Sequence, residues 1–153
     1  LNKLTPLLYD KKVKEEDDLW GKEYQKESGL IAQDVYNEVP ELKFIVIKAM
    51  ESIEELYNIP SDRLLCERAH LTVQHPGQDI EPHRDGGDIT AVYTAACPGG
   101  GEFIFDMEYG EETFEFAKNR LFVFDGKQTH RAPAAVAKRP RVLLVMKFGI
   151  ANK

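Results

Sequence analysis

From about residue 60 onward, the chain is a succession of short segments rich in β-branched and aromatic residues, each ended by a turn signal. The clearest are ERAHLTVQH before Pro76-Gly77, ITAVYTAAC before Pro98 and three glycines, and then EFIFDM, ETFEFA, RLFVFD and RVLLVMKFGI. Such segments are typical of β-strands. Many short strands joined by close turns predict an antiparallel sandwich or barrel.

The part of the chain before residue 60 has a helical pattern instead. Apolar residues recur there at intervals of three and four, which places them on one face of a helix. A shorter helix is predicted over residues 28–39. We therefore expect a single domain over residues 1–153, mainly β, in which helices of residues 1–60 buttress a barrel of residues 61–153. The residues of the apolar stripe are Leu42, Ile45, Ala49, Ile53 and Leu56.

Composition and charge narrow the classes of function. The 153 residues suit one compact domain, and no apolar run approaches the roughly 20 residues of a membrane span. The opening residues contain no apolar core of a signal peptide. With a net charge of -6, the chain gains nothing from nonspecific attraction to nucleic-acid phosphates. Two cysteines, Cys66 and Cys97, form no metal or disulfide pattern, so we expect reduced thiols in a cytoplasmic protein.

A candidate metal site begins at His83-Arg84-Asp85. In an extended segment, residues two apart point to the same side, so this stretch offers an imidazole and a carboxylate to one ion. A third ligand must come from a distant strand, and His130 follows the strand RLFVFD and a Gly-Lys turn. Two histidines and one carboxylate form a facial triad that leaves three positions open on an octahedral iron. An HxD tripeptide alone is common by chance, and His70 and His75 are by default ordinary strand or loop residues.

An arginine strengthens the hypothesis of a metal-dependent reaction. Arg141 opens the last strand, eleven residues after His130, and its fork suits a carboxylate. An arginine that faces the interior is costly to bury without an anion. Arg139 is the rival, but Pro140 disfavours a regular strand ladder there. A surface arginine is the alternative interpretation for both.

The stretch from His75 to Phe148 resembles the Fe(II)- and 2-oxoglutarate-dependent dioxygenase superfamily, most closely its prolyl-hydroxylase-like branch. The matching pieces are HPGQDIEPHRD, GGGEFIFD, LFVFDGKQTHRAP and RPRVLLVMKF. The resemblance implies a double-stranded β-helix, a jelly-roll barrel of the cupin type. It implies that His83, Asp85 and His130 bind iron and that Arg141 binds the distal carboxylate of 2-oxoglutarate. Cofactors would be Fe(II), 2-oxoglutarate and O₂, with ascorbate as a further candidate.

Two departures from the branch affect the cofactor contacts. The branch often has a tyrosine before the Pro-Gly step that contacts 2-oxoglutarate, and here the position is His75. Either His75 or Tyr93 on the next strand is expected to take that hydrogen bond. The strand after the HxD motif reads Thr94-Ala95-Ala96 rather than ending in a Leu-Asn pair. The superfamily resemblance is therefore more specific than the branch.

The resemblance implies hydroxylation of an unactivated C–H bond, with a prolyl, peptidyl or free small-molecule substrate and release of succinate and CO₂. Two alternatives stay open. The HRDGGD stretch and the distal His-Arg pair also resemble dioxygenases that oxidise thymine or methylcytosine, which need a flipped base and phosphate contacts. The same barrel could instead be a non-redox metal-binding module or a hydrolase that uses zinc-bound water. The oligomeric state is not predicted from the sequence.

Overall fold

The structure, a computed structural model, describes residues 5–8, 29–33, 41–134 and 138–151. Its strands form two antiparallel sheets, and one helix precedes most of them. In chain order the elements are β1 (Thr5–Leu8), β2 (Gly29–Gln33), α1 (Glu41–Tyr57), a 3-10 turn (Ser61–Arg63), β3 (Leu64–Gln74), β4 (Ile80–His83), β5 (Ile89–Ala96), β6 (Glu102–Met107), β7 (Gly110–Glu115), β8 (Arg120–Asp125), β9 (His130–Ala132) and β10 (Arg141–Ile150).

The larger sheet has the order β1-β8-β5-β10-β3-β2, and the smaller sheet has the order β4-β9-β6-β7. Every pair of neighbouring strands is antiparallel. This is the predicted fold class, a mainly β jelly roll with helical support. All six strands expected after residue 60 are present within a few residues of their predicted bounds.

Strand β10 shows how the layers are held together, because its alternate side chains enter two different cores. Leu144, Met146 and Phe148 pack with helix α1 on one face of the larger sheet. Leu143 and Val145 point to the other face, where they meet the phenylalanines of the smaller sheet. The larger sheet is therefore the middle layer, with helix α1 on one side and the smaller sheet on the other.

Helix α1 follows the predicted stripe. Ile45, Ala49 and Ile53 are buried and belong to the core beneath the larger sheet. Leu56 is half-buried and packs against the same cluster. The helix ends at Tyr57, and Asn58 then adopts a positive φ of 56°, which turns the chain towards β3. None of the helices among the described residues is long and apolar enough to cross a membrane.

The helix predicted over residues 28–39 is wrong where the structure describes that segment, because residues 29–33 form strand β2. Gly29 lies opposite Val73 of β3 in an antiparallel ladder. Strand β3 is 11 residues long, and without β2 its outer backbone groups would form an open sheet edge. Pairing between distant segments thus overrides local helical preference. Residues 34–39 lie outside the described part of the chain.

Candidate metal centre

The three predicted ligands come together at one end of the smaller sheet. His83 is the last residue of β4, His130 is the first residue of β9, and the two lie opposite each other in the antiparallel register. Asp85 lies in the loop directly after β4. One ligand atom from each of the three residues lies within 4.8 Å of the other two, a spacing that suits a shared metal ion. Their assignment as ligands stays a prediction, which this geometry supports.

Backbone carbonyls fix the orientation of both imidazole rings. The Nδ1 atom of His83 lies 2.7 Å from the Glu81 carbonyl oxygen, and the Nδ1 atom of His130 lies 2.8 Å from that of Gln128. A carbonyl oxygen can only accept, so Nδ1 carries the proton in each ring. In the neutral imidazoles Nε2 therefore presents a lone pair, which is the form that binds a metal.

Both Nε2 atoms face the carboxylate of Asp85. His130 Nε2 lies 2.9 Å from Oδ2, and His83 Nε2 lies 3.4 Å from Oδ1. Oδ2 is nevertheless buried without a hydrogen bond of acceptable geometry. Neutral imidazole lone pairs and a carboxylate repel one another unless a cation or a proton lies between them. The residues present therefore fit a divalent metal ion.

The same contact perturbs the ionisation of these groups. Burial alone would raise the pKa of Asp85, but His130 and His83 beside it outweigh burial and hold that pKa well below its usual range. The Asp85 carboxylate raises the pKa of His83, against an opposing effect of burial. Asp85 is thus a carboxylate at any physiological pH, as a metal ligand must be.

Two glycine-bearing loops hold the ligands in place by close backbone approach. Gly86 N–H donates to the Gly126 carbonyl, and Gly126 N–H donates to the Asp88 carbonyl, each at about 3 Å. A Cβ on Gly126 would lie 2.3 Å from the carbonyl oxygens of both Gly86 and Gly87. Only glycine at position 126 allows the loop after Asp85 to contact the turn that leads into His130.

Aromatic side chains surround His130, which is only 3% exposed. The rings of Phe103, Phe105 and Phe124 lie 5.4, 5.7 and 4.9 Å from the imidazole, measured between ring centroids. This apolar shell belongs to the core between the two sheets. It restricts water to one side of the triad and strengthens the electrostatic interactions of a bound ion.

The open side of the triad is a cavity of about 430 Å³ between the two sheets. Its apolar wall includes Val92, Phe103 and Leu143, and its polar lining includes residues that the sequence did not single out. These additional residues are His70, which the sequence interpretation treated as an ordinary strand residue, together with Arg68, Thr72 and Lys147. A volume of this size is typical of ligand sites.

Arg141 is buried as predicted, with 2% of its surface exposed, whereas Arg139 is exposed. Arg141 does not line the triad cavity, however. Its Nη atoms donate to Gln74 Oε1 at 2.5 Å and to the Gly100 carbonyl at 3.0 Å, and the guanidinium lies over the Phe116 ring. Burial lowers the pKa of Arg141, and its Nε atom has no hydrogen-bond partner. The chain thus buries a cation with one donor unused.

The two candidates for a further cofactor contact lie in different places. His75 is half-buried and lines a small cavity together with Arg139 and Arg141. Tyr93 lies on the helix-facing side of the larger sheet, and its hydroxyl hydrogen-bonds to Asn119. Tyr93 therefore points away from the triad cavity, and this placement argues against it as the residue that contacts the cofactor. Its neighbour Thr94 points to the cavity side of β5, and the buried Thr94 hydroxyl has no hydrogen-bond partner.

Comparison with known proteins agrees with this geometry. The family model of the aspartyl/asparaginyl β-hydroxylases matches residues 5–149 of the chain. No curated protein matches the sequence. The fold is shared with a Pseudomonas putida prolyl-4-hydroxylase, at 14% identity and a TM-score of 0.70, over 97% of this chain and 93% of that one.

Two further solved structures share the fold at low identity. HygX from Streptomyces hygroscopicus, solved with iron bound, is 7% identical with a TM-score of 0.72, over 96% of this chain and 82% of that one. EctD from S. alaskensis, solved with bound Fe, is 10% identical with a TM-score of 0.72, over 97% of this chain and 73% of that one. A second HygX structure holds nickel and 2-oxoglutarate. The predicted superfamily resemblance is confirmed.

Proposed function

This chain belongs to the aspartyl/asparaginyl β-hydroxylase family, and we propose on that basis that it is an Fe(II)- and 2-oxoglutarate-dependent oxygenase. Its reaction is hydroxylation of an unactivated C–H bond in a peptidyl or small-molecule substrate. The observation that carries the proposal is the convergence of the two Nε2 atoms on the Asp85 carboxylate, at 3.4 Å for His83 and 2.9 Å for His130.

Iron, 2-oxoglutarate and O₂ would supply the oxidising power, with succinate and CO₂ as co-products. The contribution of the chain is geometric. His83, Asp85 and His130 would hold the ion on one side and leave the cavity side open for co-substrate and O₂. The carbonyls that accept from Nδ1 fix both rings, and the phenylalanines around His130 exclude water from the protein side.

The anchor for the distal carboxylate of 2-oxoglutarate is proposed to be Arg141. Two buried donors without partners support this assignment, Arg141 Nε and the Thr94 hydroxyl. Their strands β10 and β5 are neighbours, and both side chains belong to the cavity-facing side by alternation with Leu143 and Val92. Buried donors are seldom left unpaired, and a carboxylate would satisfy both.

Anaerobic titration tests the proposal. We expect Fe(II) followed by 2-oxoglutarate to produce a visible charge-transfer band, and admission of O₂ to release succinate. Asp85→Ala should abolish both signals while the far-ultraviolet circular dichroism stays unchanged. A hydrolase that uses zinc-bound water would give neither signal, and a band that survives Asp85→Ala would refute the triad.

A further inference from the structure

One wall of the triad cavity carries two cations that face each other across a strand pair. Lys147 of β10 lies directly opposite Arg68 of β3 in the antiparallel register, and both half-buried side chains line the cavity. Like charges at directly opposed positions destabilise a sheet, and a bound anion would offset that repulsion.

Protein carboxylates do not supply such an anion within the described residues. No ion pair or hydrogen bond there involves the Arg68 or Lys147 side chain. Of the carboxylates that line the cavity, Asp85 contacts the two histidines of the triad, and Asp79 accepts a hydrogen bond from the Ala134 N–H.

His70 adds a third donor to the same wall. It lies two residues after Arg68 on β3, so the two side chains share a face of the strand. Burial first, and Lys147 second, lower the pKa of His70 to about 4, so the ring is neutral. Its Nδ1 atom is buried without a hydrogen-bond partner. A buried N–H is left unpaired more rarely than a buried lone pair, so the proton belongs on Nε2 and is available to the cavity.

The three groups are spaced to meet one small ligand. Alternate residues of a strand lie about 7 Å apart and directly opposed residues about 5 Å apart, distances that the long side chains of Arg68 and Lys147 can close. A guanidinium, an ammonium and an imidazole N–H are all donors, and none of them accepts. Their complement is a group with several acceptor oxygens and more than one negative charge.

A phosphomonoester fits this description better than a carboxylate does. At neutral pH it carries a charge of about -1.5 to -2 and three terminal oxygens, whereas a carboxylate carries one charge and two oxygens. Two cations and three donors therefore match the phosphate in both charge and number of acceptors. A third cation, the exposed Arg84, lines the cavity and donates to the Thr129 hydroxyl.

We propose that Arg68, Lys147 and His70 bind the phosphate group of the substrate, so that the enzyme acts on a small phosphomonoester. This inference rests on the proposed function and names its substrate class. The cavity volume of about 430 Å³ is that of a small-molecule site. The co-substrate is assigned to the far end of β10, since Arg141 lies six residues from Lys147, on the order of 20 Å away.

The test is a titration by nuclear magnetic resonance of the protein loaded with Zn(II) and saturated with 2-oxoglutarate. The probes are propyl phosphate, propyl sulfate and pentanoate, which share an alkyl chain. Propyl sulfate keeps the three terminal oxygens but has a single charge, and pentanoate ends in a carboxylate. We expect propyl phosphate to bind about tenfold more tightly than either and to shift the resonances of Arg68 and Lys147.

Variants of the wall locate the effect. Arg68→Gln and Lys147→Met should each reduce the preference for phosphate to within about threefold, with 2-oxoglutarate affinity changed by less than about threefold. His70→Leu removes the N–H and should also reduce the preference, whereas His70→Gln places an amide N–H near the position of Nε2 and should restore it. Lys43→Gln removes an exposed cation of helix α1 outside the cavity and should change neither value.

The inference is overturned by equal binding of the three probes or by a preference that survives both Arg68→Gln and Lys147→Met. A preference that is lost only in Asp85→Ala would overturn it too, because the phosphate would then be a ligand of the metal. Loss of 2-oxoglutarate affinity in the wall variants would show that these residues serve the co-substrate instead. A wild-type protein that does not bind 2-oxoglutarate would refute the proposed function, and the same three probes, titrated without 2-oxoglutarate, would still decide the phosphate site.

Discussion

Replacement of Arg141 by methionine separates two roles that the structure gives to one side chain. The guanidinium bridges the two sheets through Gln74, whose amide donates onward to the Ala132 carbonyl at 2.8 Å, just beyond His130. It also carries the unpaired Nε that we assign to 2-oxoglutarate. Methionine keeps most of the apolar length of the side chain and removes every donor, so both roles are lost at once.

The structural role sets the expected loss of stability. Arg141→Met removes two hydrogen bonds from a charged donor and leaves Gln74 Oε1 and the Gly100 carbonyl without that partner. Bonds of this kind contribute about 1.5–3 kcal/mol each, and the removal of the buried charge offsets part of the loss. We expect the free energy of unfolding to fall by about 2–4 kcal/mol, which lowers Tm by about 5–15 °C in a chain of this length.

The binding role sets the expected loss of co-substrate affinity. A buried carboxylate that loses its arginine partner costs about 2–4 kcal/mol, which corresponds to a rise in the Kd of 2-oxoglutarate of about 30- to 1,000-fold. The affinity for Fe(II) should stay within about threefold, because Arg141 is not part of the triad. The readout is the charge-transfer band during anaerobic titration, with unfolding followed separately by calorimetry.

Two matched variants make the experiment decisive. Gln74→Met breaks the same bridge between the sheets but keeps the guanidinium, so it should reduce stability while 2-oxoglutarate still binds. Arg139→Met alters an exposed residue two positions away and should change stability by no more than about 0.5 kcal/mol. If Arg141→Met lost stability but bound 2-oxoglutarate as the wild type does, Arg141 would be purely structural. Loss of co-substrate binding in Arg139→Met alone would show that the wrong arginine was chosen.

Three further predictions concern single positions. Burial lowers the pKa of His70 to about 4 in the folded state, so the unfolded state binds more protons at mildly acidic pH. The free energy of unfolding should therefore fall as pH drops from about 6.5 towards 4. His70→Gln should reduce that total fall by about 1–3 kcal/mol, measured by urea titrations at each pH. Thr94→Val should leave the unfolding free energy unchanged or slightly higher, because its buried hydroxyl has no partner, while weakening 2-oxoglutarate binding by about three- to tenfold in the anaerobic titration; unchanged binding would remove Thr94 from the site. Gly126→Ala forces a Cβ against the carbonyls of Gly86 and Gly87, so we expect a loss of about 1–3 kcal/mol in stability together with weaker metal binding by thermal shift; a fully stable variant would contradict the close packing of the two loops.

Elements with a strong local pattern were predictable, and elements held by distant pairing were not. The six longer strands after residue 60 carry enough β-branched and aromatic residues to be read directly. Strands β4 and β9 are four and three residues long, and β4 contains Pro82, so neither shows alternation. They pair with each other, and the two histidines of the triad, His83 and His130, are directly opposed in that pair. The candidate ligands could be proposed from the motif, but the strands that position them could not be predicted.

The sequence could not tell which way Tyr93 points, and the reason lies in the composition of strand β5. Alternation distinguishes the faces of a strand only when one face is polar, and seven of the eight residues of β5 are buried. Nothing in ITAVYTAA therefore tells which of two neighbouring residues faces the cavity. The register with β10 decides it, because Leu143 lies opposite Thr94 and Leu144 lies opposite Tyr93. Because neighbouring residues of a strand point to opposite faces, Thr94 rather than Tyr93 faces the cavity side, and Thr94 is therefore the residue that we propose for the cofactor contact.

Strand β3 shows the opposite situation. Its alternation of polar and apolar residues is clear, but the usual interpretation of that alternation, a polar face exposed to water, does not apply here. Arg68, His70 and Thr72 alternate with apolar residues, which ordinarily indicates a sheet with one face in water. In this fold β3 lies inside the larger sheet, and the smaller sheet covers the face that carries these polar residues. A polar stripe turned towards an interior cavity is costly unless a ligand compensates it. That these three residues line the cavity can therefore be inferred only after the topology shows which way the polar face points.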